Sequence, residues 1–73
     1  MPSNHAVTDN IVYDLVSIQY HALQAIESYA SYLGDAHSED HADITSFIER
    51  CRDEDTERAR RCLELLKELT ATT

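Results

Sequence analysis

Residues 9–33, DNIVYDLVSIQYHALQAIESYASYL, carry apolar side chains around more of a helix's girth than one neighbouring helix can cover. Ile11, Ile18, Ala25 and Tyr32 recur every seventh position, and Leu15, Ala22 and Tyr29 form the column beside them. Together they make one heptad seam with alternating steps of four and three. A second seam, displaced by one residue, runs through Val12, Val16, Gln19, Leu23, Ile26, Ala30 and Leu33. Asn10, Asp14, Ser17, His21, Gln24, Ser28 and Ser31 follow the same steps on a solvent-facing stripe. A helix in an isolated hairpin needs only one seam. The pattern therefore predicts self-association, with Val12, Val16, Gln19, Leu23, Ile26 and Ala30 as its interface.

At 73 residues the chain makes one domain at most, below the size at which a single core is self-sufficient without a staple. Oligomerisation is the staple expected here. Cys51 and Cys62 stand eleven residues apart on one helix, about 16 Å of rise, which is too far for an intrahelical disulfide. They read as buried small hydrophobes, with an intermolecular bridge or a reactive thiol as the alternative. With no signal-peptide pattern and no run of eighteen apolar residues, the expectation is a cytoplasmic protein with no membrane partner.

The net charge of -8 is unevenly placed: every Lys and Arg lies within residues 50–67, whereas acids occur throughout. Phosphate binding needs clustered cations, so no nucleic-acid partner is expected. Arg50, Arg52, Arg58, Arg60, Arg61 and Lys67 are interleaved with acids and read as solvated ion pairs, Glu54 with Arg58 and Glu57 with Arg61 at i,i+4.

Taken in order, residues 1–8 lack periodicity and read as a flexible tail containing His5 and the only proline. Thr8 or Asp9 can cap a helix ending at Leu33, and Gly34, the only glycine, stands where a left-handed residue normally terminates one. The acidic connection is short, which makes the flanking helices antiparallel neighbours. A second helix over 39–70, capped by Ser38 or Asp40, presents Ile44, Phe47, Ile48, Cys51, Asp55, Ala59, Cys62, Leu66 and Leu69 inward. Leu63 and Leu65 flank that stripe, and residues 71–73 fray. Tyr13 and Tyr20 read as edging the core, and His21 as exposed. The expected fold is all-α, an antiparallel two-helix hairpin dimerising into a four-helix bundle.

Two kinds of polar residue could carry chemistry. In the connection, His37 and His41 with nearby carboxylates are possible metal ligands, although acids at a helix N-terminus explain the same pattern. Within the apolar columns, Gln19 and Asp55 are the interruptions, and a turn beginning at Gly34 sets them at one height beside Glu54. A buried carboxylate must be paired or protonated, so the layer reads as a register-fixing device, with a metal site of Asp55, Glu54 and Gln19 as the alternative. No Gly-rich phosphate loop and no nucleophile–base set is evident, so no catalytic role and no cofactor is expected.

The run LQAIESYASYLGDAHSEDHADITSFIERCRDEDTERARRCLELL resembles the first helical hairpin of ferritin-like and rubrerythrin-like proteins. The likeness rests on Tyr29-x-x-Tyr32, the Phe47 position, and an acidic run followed by Arg58-Ala59 and leucines. It implies a hairpin that pairs into a four-helix bundle, and in that family a di-iron centre held by Glu and Glu-x-x-His. Here Asp55 stands for the Glu and Arg58 for the His, and Arg58 cannot ligate a cation. The first-helix Glu falls on Ala22 or Gln19. These readings give a small non-catalytic interaction or structural protein, the expected partners being a second copy or a larger protein it regulates, and a ferritin-like metal or redox protein with an atypical site as the alternative.

Overall fold

Two helices, α1 (Ser3–Ser38) and α2 (Ala42–Ala71), are joined through Glu39, Asp40 and His41 in the computed structural model, which describes the backbone of residues 3–71 and the side chains of 10–71. There is no strand among the described residues. The helices run antiparallel: Ile11 lies near Leu69, Gln19 reaches Ala59, Tyr29 reaches Asp55, and Tyr32 lies near Ile44.

α1 is longer than its periodicity predicts at both ends. It starts at Ser3, so Thr8 and Asp9 lie inside it rather than at its cap, their side chains being outside the described set. Nothing in SNHAVT breaks a helix, and extending a nucleated helix by a residue costs little. The expected tail and frayed end include residues 1, 2, 72 and 73, which lie outside the described residues, as does the side chain of His5.

At the other end Gly34 does not terminate α1. It keeps a negative φ, and the left-handed residue is Asp40, with φ 58°. His41 donates its backbone N–H to the Ala36 carbonyl (3.0 Å) and Asp40 donates to the His37 carbonyl (3.1 Å). This pair of bonds is a Schellman closure with Asp40 in the place glycine usually holds. Stopping at Gly34 would leave Ala36 off the seam, yet Ala36 is buried, two heptads beyond Ala22. Asp tolerates the left-handed region better than most L residues, so the chain continues one turn and closes there.

The His41 carbonyl accepts the Thr45 N–H (3.0 Å) and so opens α2. Neither Ser38 nor Asp40 caps α2, because Asp40 closes α1 and the Ser38 hydroxyl donates to the Asp35 carbonyl (3.0 Å).

The two helices meet along a narrow seam of small side chains. Ala22, Ala36, Ala59 and Cys62 are the buried apolar residues, and no large side chain is fully buried among the described residues. On α1 Val12, Leu15, Gln19, Ala22, Ile26, Tyr29, Leu33 and Ala36, spaced three and four apart, are all buried or half-buried, as are Ser17, Ala25 and Ser28 outside that spacing. That inner seam takes one column from each of the two expected seams. On α2 it comprises Ile48, Asp55, Ala59, Cys62, Leu66 and Leu69, while Ile44, Phe47 and Leu63 stay exposed, contrary to the inward stripe expected of the first two. Tyr13 and Tyr20, at 71% and 55% exposure, do not edge the core.

The resulting rod measures 56 × 22 × 15 Å with a radius of gyration of 16.9 Å. A compact domain of this length has a radius of about 11 Å. Two helices laid side by side have no third layer to close over their flanks.

Candidate interaction surface and its polar core

The hairpin's one-turn extension resets the register and separates the two expected polar partners. Gln19 donates its side-chain amide to the Ala59 carbonyl (3.4 Å), four residues from Asp55, or about 6 Å along α2. The shared Gln19–Asp55 layer is therefore replaced by two separate polar contacts. Gln19 can reach a main-chain carbonyl of α2 because alanine at 59 leaves the backbone uncovered.

Asp55 is held from both sides. The Tyr29 hydroxyl donates to one carboxylate oxygen and the Arg58 guanidinium to the other. The Asp55 side chain is 14% exposed, so its charge is matched by a cation and a phenol rather than by water. Donation to Asp55 pushes the Tyr29 phenol up to about 12, with burial and the Asp55 charge acting in the same direction and Arg58 opposing. The Tyr29 ring also meets Tyr32 edge-on, with centroids 5.8 Å apart.

This engagement changes the ion pairs expected on α2. Arg58 pairs with Asp55 rather than Glu54, and Arg61 with Glu64 (3.1 Å) rather than Glu57. Glu57 instead meets Arg60, which also grips Glu64. The hydrogen bonds from Arg60 to Glu57 and from Arg61 and Arg60 to Glu64 hold both carboxyls below the usual carboxylate range. Glu54 has no hydrogen-bond or ion-pair partner among the described residues.

The metal candidates do not converge. Among the described residues no three His, Cys, Asp or Glu side chains come together to hold an ion. Asp55 is bound by Tyr29 and Arg58, Gln19 by Ala59, and Glu54 is exposed. His37 lies in the last turn of α1 and His41 just before α2; both are exposed and line an open hollow with Asp40. His37 stands where a protonated imidazole would complement the helix's negative end. His21 is exposed and stacks edge-on with Tyr20, centroids 5.5 Å apart.

What the hairpin does present is uncovered apolar surface on both flanks of its seam. On one side Ile11, Ile18 and Tyr32 of α1 lie beside Ile44 and Leu65 of α2. On the other, Val16, Leu23 and Ala30 stay exposed along α1. Of the six residues expected to form the self-association interface, Val12, Gln19 and Ile26 are half-buried on the inner seam, while Val16, Leu23 and Ala30 remain open. Sequence periodicity missed Tyr29 as a polar contributor. Its place in an apolar column gave no sign that its hydroxyl would find Asp55. Cys62 is buried and Cys51 half-buried, both as free thiols.

No family model, curated protein or solved structure matches the chain. No helix among the described residues is long and apolar enough to cross a membrane.

Proposed function

We propose that this chain is a small non-catalytic helical interaction protein that self-associates, two hairpins completing a four-helix bundle. The reading is supported above all by the apolar surface left uncovered: Ile11, Ile18, Leu23, Tyr32 and Phe47 are each more than two-fifths exposed. The accessible surface is 5574 Å². A compact monomer of this mass exposes about 4,600 Å². The difference, about 1,000 Å², is close to the roughly 800 Å² that each partner contributes to a standard interface. Large apolar side chains left uncovered along one rod mark a site of association.

Sedimentation equilibrium tests the proposal. The expected result is a dimer at micromolar concentration. A stable, fully helical monomer across that range overturns it, and would transfer the same surface to a larger protein partner.

A further inference from the structure

We infer that the groove between Ile11, Leu15 and Ile18 of α1 and Leu65 and Leu69 of α2 seats a cationic amphipathic helix of another protein, its apolar side on the groove floor and its lysines or arginines against the acidic rims. The inference goes beyond the self-association proposed above. It uses only the open end of the hairpin, so Leu23, Tyr32 and Phe47 stay available to a second copy.

The groove is continuous. Ile11 and Leu15 line its outer part with Leu65 and Leu69, and Leu15 and Ile18 line its inner part with Cys62 and Leu65. Ile11 and Ile18 are 45% and 44% exposed, so the floor is uncovered. Its α2 rim runs from Glu54 to Leu69, about 22 Å or roughly four helical turns. A helix is the shape that fits there, because its side-chain ridges pack into the furrow between two antiparallel helices and supply the third layer the hairpin lacks. Apolar side chains at i, i+3, i+4 and i+7 of the partner would follow the floor.

Charge selects a cationic partner. Asp14 borders the groove from α1, and Glu54, Glu57 and Glu68 border it from α2. The two guanidiniums on the same border are already engaged, Arg58 by Asp55 and Arg61 by Glu64, while Arg60 holds Glu57. Asp14, Glu54 and Glu68 are thus left without an ion-pair partner among the described residues, and they stand on both sides of the apolar floor. Residues 1–49 hold no Lys or Arg that could serve them. A second copy offers little more: its Arg52, Arg58, Arg60 and Arg61 are paired with acids of their own helix, and it too carries a net charge of -8. Lysine and arginine stems on a partner helix would cover the groove's apolar edges while their heads reach the rim carboxylates. The field of so acidic a chain also steers a cationic partner toward it.

Fluorescence anisotropy tests this on the full chain with a labelled synthetic peptide of about 18 residues, long enough to span the groove, carrying leucine at the apolar heptad positions and lysine elsewhere. The same peptide with glutamate in place of lysine should bind at least tenfold more weakly. Asp14→Asn, Glu54→Gln and Glu68→Gln together should weaken the lysine peptide at least tenfold. Glu27→Gln, Glu49→Gln and Asp53→Asn remove the same charge from exposed positions outside the groove and should cost less than threefold. Ile18→Glu separates floor from rim: it adds a carboxylate, so attraction by charge alone would tighten the peptide, whereas docking on the floor makes it bind at least tenfold more weakly. Far-ultraviolet circular dichroism confirms helix content in each variant, and sedimentation equilibrium should find the self-association of Ile18→Glu unchanged. Equal losses in the two triple variants, or tighter binding in Ile18→Glu, overturn the inference. Self-association lost in Ile18→Glu assigns the groove to a second copy and overturns it as well. Peptide binding by a chain that proves monomeric supports it, so its fate is separate from that of the self-association.

Discussion

Gly34→Ala should stabilise this protein. At a helix-terminating glycine the same change would be destabilising, because an alanine forced into the left-handed region costs about 1–2 kcal/mol. In this structure Gly34 has a negative φ inside α1, is exposed, and a Cβ built on it meets nothing within 4 Å. The effect then reduces to intrinsic helix propensity, about 0.8–1 kcal/mol in favour of alanine. For a chain this short, that corresponds to a rise in Tm of roughly 4–8 °C. Urea denaturation followed by circular dichroism measures it, at one fixed protein concentration, since association would make the midpoint concentration-dependent. The complementary change is Asp40→Gly, which relieves the left-handed strain at φ 58° and should add up to about 1 kcal/mol. A loss of stability in Gly34→Ala, or no gain in Asp40→Gly, would refute the placement of the turn and the register that follows from it.

Other expectations follow from the seam and its polar contacts. Ala22→Leu forces a large side chain between closely approaching helices and should cost about 1–3 kcal/mol in denaturant melts, whereas an unchanged midpoint would mean the helices are not in close contact there. Leu23→Ala, at a half-exposed position, should cost about 1 kcal/mol. A cost of about 2–5 kcal/mol would instead mean that strip is covered. Because the Tyr29 pKa is raised, its contact with Asp55 contributes stability in full below the ordinary phenol range and loses it as pH rises through about 12. Absorbance titration of phenolate should find one late-ionising tyrosine that returns to the ordinary range in Asp55→Asn; identical titration curves for the two proteins would count against the contact.

The helical hairpin was legible in the sequence because long stretches of heptad spacing admit little else. The turn was not. Glycine is the commonest left-handed terminator, and Gly34 stands where the apolar columns of α1 could end. What outweighed it was tertiary: one more turn brings Ala36 onto the seam, and Asp40 can adopt the closing conformation. Moving the turn by several residues shifts every cross-helix pair, which is why Gln19 and Asp55 looked like one layer and are two. The two apolar columns of α1 were visible, but not which of them α2 would cover. That choice depends on how closely two backbones approach, and alanines at 22, 36 and 59 with a cysteine at 62 decide it. The candidate surface was legible only as an excess of apolar positions, since periodicity does not say which flank stays open.

The three-residue link between α1 and α2 acts as a clasp. Closing so short a loop costs little chain entropy, so the helices remain neighbours at high effective concentration even though no large side chain is fully buried between them. Proteolytic cleavage between Ser38 and Ala42 would remove that advantage without touching a single seam residue. Two peptides joined by so shallow a contact should drift apart on dilution, so the integrity of Glu39, Asp40 and His41 governs whether there is a hairpin at all.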